Sequence, residues 1–170
     1  MQIFIETKRL ILRELIPADA EGMFELDSDP LVHQYLGNKP VANIQQSRDT
    51  ITMIRQQYAD LGIGRWALID KETDNFIGWS GLKLITTTVN SHSNFYDIGY
   101  RLIRRYWGKG YATESALAVM HYGFNQMQLK TIYGMADVDN AASNHVLQKI
   151  GLKFVEEFNY DGIACNWYKS

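Results

Sequence analysis

The segment Arg105-Tyr106-Trp107-Gly108-Lys109-Gly110-Tyr111-Ala112 holds the residue types and spacing best suited to chemistry in this chain. Gly108 and Gly110 let a backbone come close to a ligand, and Ala112, Ala116, Val119 and Gly123 then recur at helical spacing. A helix starting near Gly110 leaves its first amides without intrahelical partners, and its macrodipole adds roughly half a positive charge there. Such a turn attracts an anion, and a pyrophosphate is the natural guest. Arg104, Arg105 and Lys109 bring further positive charge to the same place.

Two familiar phosphate motifs are excluded. Gly108-Lys109-Gly110 lacks the hydroxyl residue that must follow the lysine of a P-loop, which argues against a kinase or ATPase. Gly108-x-Gly110-x-x-Thr113 lacks the third glycine of a dinucleotide fingerprint. Gln128–Ile132, about twenty residues on, offers no acid for a ribose, so a dinucleotide-dependent oxidoreductase fails on both counts.

The elements that must position this turn follow from periodicity. Thr7–Leu15 alternates Leu10 and Leu12 against Arg9, Ile11 and Arg13 as a strand with one buried face. Pro17 opens a helix carrying Ala20, Met23, Phe24 and Asp27, which Asp29-Pro30 stops. Ile44–Leu61 repeats apolar positions every three or four residues and ends at Gly62 and Gly64. Trp66–Ile69 and Phe76–Leu84 flank the polar Asp70–Asn75 as a hairpin, and Phe95–Leu102 reads as a further strand leading into the glycine turn. After the helix from Tyr111 to about Met127 come a strand at Thr131–Val138, a helix at Ala141–Ile150 and a closing hairpin, Phe154–Tyr160 and Ile163–Tyr168, around Asp161-Gly162. The sum is an α+β fold: about four helices against a mixed, mostly antiparallel sheet of about six or seven strands.

Composition narrows the function classes. With 170 residues, 46% of them apolar, and no linker-like stretch, the chain reads as one folded domain spanning 1–170. The 17 basic residues do not exceed the 19 acidic ones, which excludes generic nucleic-acid binding. A lone cysteine, Cys165, and no apolar run long enough to span a bilayer point to a reducing, cytoplasmic setting without membrane attachment. His33, His92, His121 and His145 lack metal-ligand spacing, so no metal is expected.

Arg105-x-x-Gly108-x-Gly110 between strand and helix resembles the signature of the GNAT acetyltransferases. The surrounding Asp97-Ile98-Gly99-Tyr100, Tyr106 through Glu114, the opening Thr7-x-Arg9-Leu10-x-Leu12-Arg13 and the later Asn140-x-x-Ser143-x-x-Val146-x-x-Lys149-x-Gly151 are similar to the RimJ/RimL-like branch, which acetylates N-terminal residues of ribosomal proteins. The resemblance covers nearly the whole chain.

It implies acetyl-CoA as cosubstrate and a primary amine, either a protein N-terminus or a small molecule, as acceptor. Main-chain groups at Leu102 and Ile103, on a strand splayed from its neighbour, are expected to bind the pantetheine arm. Arg105, Gly108, Lys109, Gly110, Tyr111 and Ala112 are expected to hold the pyrophosphate, mainly through amides, and Asn140 to contact the pantetheine as well as cap a helix. The family tyrosine seven residues after that asparagine is replaced by Leu147, which leaves Ser143 to donate toward the departing sulfur; the same departure raises the alternative of a coenzyme A-binding sensor without turnover. Asp97 is the first candidate for general base, an ion pair with Arg101 being its other use, and Glu157 is the second. His33 and Tyr35 lie where this fold often receives its acceptor, with His33 read as a surface residue, and homodimerisation is left open by the family.

Overall fold

The computed structural model describes residues 1–170. Local signals set the helices. Helix α1 (Ala20–Ser28) follows a single 3-10 turn at Pro17–Asp19, as a proline at the first helical position favours. Helix α2 (Ile44–Leu61) starts at a reciprocal cap: the Asn43 side chain accepts from the Gln46 amide at 3.2 Å, and the Gln46 side chain accepts from the Asn43 amide at 3.3 Å. It ends at Gly62, whose φ of +70° is left-handed. Helices α3 (Tyr111–Asn125) and α4 (Ala141–Lys149) begin at Gly110 and Asn140.

Eight strands form one sheet: β1 (Ile3–Glu6), β2 (Leu10–Arg13), β3 (Trp66–Asp70), β4 (Phe76–Ile85), β5 (Phe95–Leu102), β6 (Tyr133–Asp137), β7 (Lys153–Tyr160) and β8 (Ile163–Lys169). Their order is β1-β2-β3-β4-β5-β6-β8-β7, and every neighbouring pair is antiparallel except β5 and β6. The strand count of six or seven expected from sequence misses β1. Its four residues are half-buried or exposed at the sheet edge and show no alternation, so pairing with β2 defines it rather than a pattern of its own. The β3–β4 hairpin turns where the Asp70 carboxylate accepts from the Glu72 and Thr73 amides.

The sheet divides two cores. Leu10, Leu12, Trp66, Leu68, Ile98 and Leu102 pack on one face with Ala116, Val119 and Met120 of α3 and Leu147 of α4. Ala67, Ile69 and Ile103 pack on the other with Met23 and Leu26 of α1 and Ile51 and Ile54 of α2. Burying each large apolar side chain contributes about 1.5–3 kcal/mol. Helices α3 and α4 are thereby fixed on one side of the β5–β6 junction and α1 and α2 on the other.

Candidate active site

The turn between β5 and α3 is built as its glycines suggest. Arg104–Tyr106 makes one 3-10 turn, and Gly108 and Gly110 take φ of +72° and +80°. A Cβ at Gly108 meets no atom within 4 Å, so what demands glycine there is the left-handed backbone, and the turn's outer side stays open for a ligand. The loop just ahead of β2 holds the turn from behind. Arg9 donates through Nη1 to the Lys109 carbonyl at 2.9 Å and through Nε to Glu114 in the first turn of α3 at 2.6 Å. Thr7 Oγ1 and the Arg9 amide donate to the same carboxylate at 2.6 and 3.1 Å. Burial pushes the Glu114 carboxyl up, but the bonds from Thr7 and Arg9 outweigh it and hold the group below the ordinary range.

Side-chain charge at the turn is arranged otherwise than the sequence suggests. Arg104 pairs with Asp29 at 3.1 Å and Arg105 pairs with Glu25 of α1. Both guanidiniums are thus committed to the α1 side, because Glu25 on α1 and Asp29 just past its end stand opposite them. Lys109 remains unpaired, its Nζ 5.3 Å from the Tyr106 ring centre.

Strands β5 and β6 share a single register pair, Asp97 with Tyr133, and then part. Against β4, Ile103 donates to the Ile77 carbonyl at 3.0 Å, so the odd-numbered residues of β5 bond to β4 and the even-numbered Ile98, Tyr100 and Leu102 turn their main chain toward the gap. Trp107 Nε1 already occupies the Leu102 carbonyl at 2.8 Å. The main chain facing the gap therefore comes from Ile98, Tyr100 and the Leu102 amide, one step earlier than the Leu102–Ile103 pair expected from sequence.

On the α3–α4 face, Asn140 Oδ1 caps α4 by accepting from the Ser143 amide at 3.1 Å, and its carboxamide nitrogen takes no protein partner. Tyr100 donates its hydroxyl to the Ser143 carbonyl at 2.9 Å and lies 3.2 Å from Ser143 Oγ. Leu147 is buried in the core, where a Cβ on Gly134 would strike it, so that position offers no hydroxyl. Burial raises the Tyr100 hydroxyl far above its ordinary range, which keeps it protonated.

On the α1–α2 face Asp97 pairs with Arg65 at 2.5 Å, not with Arg101, which bonds Asp27 at 2.6 Å. The reason is a lane of glycines. Arg65 lies flat across Gly81 and Gly99, donating to the Gly81 and Asp97 carbonyls, and a Cβ at Gly99 would sit 2.6 Å from its Nη2. Both members of the pair are buried; burial pushes the Asp97 carboxyl up against the pull of Arg65, and its Oδ1 has no partner. Arg65 and Arg101 sit 5.5 and 5.0 Å from the Trp79 ring centre. His33 is buried rather than at the surface, 3.3 Å from Asp27, whereas Tyr35 borders the cleft. Glu157 is exposed on β7 and lies outside the cleft lining.

One cleft of about 650 Å³ passes through the β5–β6 gap, lined by Gly108, Gly110 and Asn140 at one end and Asp97, Trp79 and Arg101 at the other, with Tyr100 and Ser143 between; Arg105, Lys109 and His33, like Glu157, are not part of its lining. A sequence model of the acetyltransferase (GNAT) domain matches residues 9–153. The chain belongs to the GNAT acetyltransferases. Among the relatives of this GNAT chain, an uncharacterised N-acetyltransferase p20 of Bacillus licheniformis is 33% identical over 164 residues, covering 96% of this chain and 86% of the relative. A GNAT-family acetyltransferase from Bacillus anthracis superposes with a TM-score of 0.81 at 24% identity, covering 99% of this chain and 98% of that one. RimL, a ribosomal L7/L12 alpha-N-protein acetyltransferase solved with coenzyme A, superposes with a TM-score of 0.83 at 18% identity, covering 99% and 97%.

The GNAT site also contains residues that sequence reasoning passed over. Tyr100 lay in a recognised motif without a role, Trp79 carried a signal only as an aromatic on a predicted strand, and Arg65, just ahead of a strand, carried none. Arg9 lay in a recognised motif without a role, and Glu114 followed the glycine turn likewise. No group of three histidine, cysteine, aspartate or glutamate side chains gathers to hold a metal ion, and no helix is long and apolar enough to cross a membrane. Cys165 is buried, and burial raises its thiol to about 11.

Proposed function

We propose that this chain transfers the acetyl group of acetyl-CoA to a primary amine, a protein N-terminus or a small molecule, by direct attack. The observation that carries the reading is the adjacency of the open Gly108–Gly110 turn to the β5–β6 gap within one cleft. Acetyl-CoA fits the residues present. Amides of the turn and the first turn of α3 take the pyrophosphate, Lys109 adds charge, and Ile98, Tyr100 and Leu102 offer main chain to the pantetheine, with the free Asn140 amide beside it. Arg105 supports the turn through Glu25 rather than touching phosphate.

Bound acetyl-CoA supplies an activated thioester. The neutral amine nitrogen forms a bond to the carbonyl carbon, the carbon–sulfur bond breaks with its electron pair leaving on sulfur, and the proton lost by nitrogen ends on the thiolate or solvent. Asp97, whose carboxyl burial pushes above its ordinary range, takes the ammonium proton before attack. Ser143 and Tyr100 stand where the sulfur departs. A hydroxyl raised as far as that of Tyr100 is a weaker acid than a thiol, whose ordinary pKa is about 8.5, and its one proton is spent on the Ser143 carbonyl, so Tyr100 holds Ser143 in place and the Ser143 hydroxyl stabilises the thiolate by donating a hydrogen bond rather than by giving up a proton. We place the reaction in the cytoplasm, the reducing setting that suits a single free cysteine.

Thermal unfolding with and without acetyl-CoA tests the reading. At about a hundred times its dissociation constant the coenzyme adds roughly 2.7 kcal/mol of stability, and an amine screen then releases free thiol. Absence of any shift at saturation overturns the coenzyme assignment. A shift without thiol release from any amine selects instead the coenzyme-binding module without turnover that Leu147 raises.

A further inference from the structure

Two carboxylates line the cleft, and only one of them has a cation. Asp97 is paired with Arg65, and Arg101 beyond it with Asp27. Asp137, at the end of β6, is half-buried in the lining with no basic side chain paired to it. Its one side-chain hydrogen bond comes from the Asp139 amide to Oδ1 at 2.9 Å, which leaves Oδ2 free. Lys149, the other lysine or arginine of the lining, stands exposed at the far end of α4 on the opposite face of the sheet.

The strands set Asp137 across from the departing sulfur. Gly134 and Ala136 turn toward α3 and α4, where a Cβ on Gly134 would strike Leu147, so the alternation of β6 turns Met135 and Asp137 to the α1–α2 face. Asp97 stands beside Tyr133 in the one β5–β6 pair; four residues further along each strand, Arg101 and Asp137 come level on that same face with the gap between them. Arg101 is held on Asp27, and the parting of the strands keeps it from Asp137. One residue back along β5, on the other face, Tyr100 holds Ser143. A thioester lying in the gap with its sulfur toward Ser143 leaves the Asp137 side for the attacking amine.

The segment after α1 roofs this corner. A Cβ on Gly37 would lie 4.0 Å from Ile163 Cδ1, and Ile163 is two residues from Cys165, the β8 partner of Asp137. Leu31 and Leu36 of that segment line the same cleft while 47% and 42% exposed. A half-buried carboxylate without a counter-ion is costly to keep and gains when a cation arrives, and the uncovered leucines beside it suit an amine carried on an apolar group.

We propose that Asp137 binds the ammonium of the acceptor and docks it on the α1–α2 side of the gap before its proton leaves. This rests on the acetyl-transfer reading above and assigns the acceptor's docking point, whereas removal of the proton is a separate step. Asp137 thereby selects amines that arrive charged over amines that arrive neutral.

Asp137→Asn isolates the charge, because the amide oxygen still accepts from the Asp139 amide. Benzylamine, spermidine and a short alanine-starting peptide amidated at its C-terminus serve as cationic acceptors, and aniline as one that is neutral at the assay pH. Each is followed by thiol release and by calorimetry on the protein loaded with coenzyme A. At least one cationic amine binds the wild type; in Asp137→Asn its KM rises and its affinity falls about tenfold or more, while aniline stays within about twofold. Asp137→Glu restores part of the loss, and stabilisation by acetyl-CoA is unchanged in both variants. Unchanged KM and affinity for the cationic amines, or equal losses for them and for aniline, overturn the assignment and leave acetyl transfer standing. Coenzyme-loaded protein that binds none of the cationic amines also overturns it, and failure of acetyl-CoA to stabilise the wild type overturns the reading beneath it.

Discussion

Arg9 and Glu114, 105 residues apart in the chain, are joined by the main-chain amide and the guanidinium of Arg9, which both end on the Glu114 carboxylate. The same guanidinium holds the Lys109 carbonyl. The residues just ahead of β2 are therefore a buttress for the Gly108–Gly110 turn, the proposed pyrophosphate site.

Glu114→Gln loosens this buttress. Bonds to a charged group contribute about 1.5–3 kcal/mol each, and a neutral amide keeps only part of that, so a loss of about 1–3 kcal/mol is expected by denaturant unfolding. Because the carboxyl is held below its ordinary value of 4.5, its contribution is full above that value and is lost as pH falls through the lowered one. The stability difference between wild type and Glu114→Gln thus narrows on acidification below about pH 4.5.

Gly108→Val forces a β-branched residue into a left-handed backbone at a strain of about 1–3 kcal/mol, with no clash inside the protein. Its Cβ projects toward the ligand side, so calorimetry should show coenzyme affinity falling tenfold or more while the unliganded fold survives. Unchanged affinity removes the turn from the coenzyme site.

Asp97 must be deprotonated to take the ammonium proton. Burial raises its carboxyl, so the acid limb of kcat/KM lies above the usual carboxylate range and activity falls as pH drops through it. In Asp97→Asn turnover at neutral pH drops and that limb disappears, at a stability cost of about 3–5 kcal/mol for leaving Arg65 unpaired. An acid limb that persists in the variant rules Asp97 out as base.

Tyr100→Phe and Ser143→Ala remove the two hydroxyls that face each other at 3.2 Å. Each is expected to lower kcat about tenfold with acetyl-CoA affinity little changed, and the double variant to fall short of the product of the two, because Tyr100 acts by holding Ser143, the donor. Full additivity separates them.

Cys165 offers a simple check on the sheet. Burial and a thiol raised to about 11 make it inert toward alkylation at neutral pH in the native state and reactive on unfolding. Rapid labelling of the native protein contradicts the β6–β8 packing.

Much of the fold and the Gly108–Gly110 end of the cleft was legible in the chain itself, because their signals are local. Helical spacing, the Asn140 cap, the Gly62 stop and the two glycines before α3 each act within a few residues. The opposite end was not. Arg65 stands just ahead of a strand in sequence with nothing to mark it, and Asp97 pairs with it instead of Arg101 only because Gly81 and Gly99, on two further strands, leave a lane for its guanidinium.

By itself the sequence determined the order of elements, the alternation that buries Leu10 and Leu12, and the left-handed turn that can take a pyrophosphate. Tertiary structure alone decided that β1 is a strand, that Arg104 and Arg105 face α1, that Tyr100 meets Ser143, and that β5 and β6 part after one pair. The division has a physical cause: backbone preferences act over neighbouring residues, whereas buried charges and hydroxyls choose partners by where the sheet and helices bring them, at whatever separation along the chain.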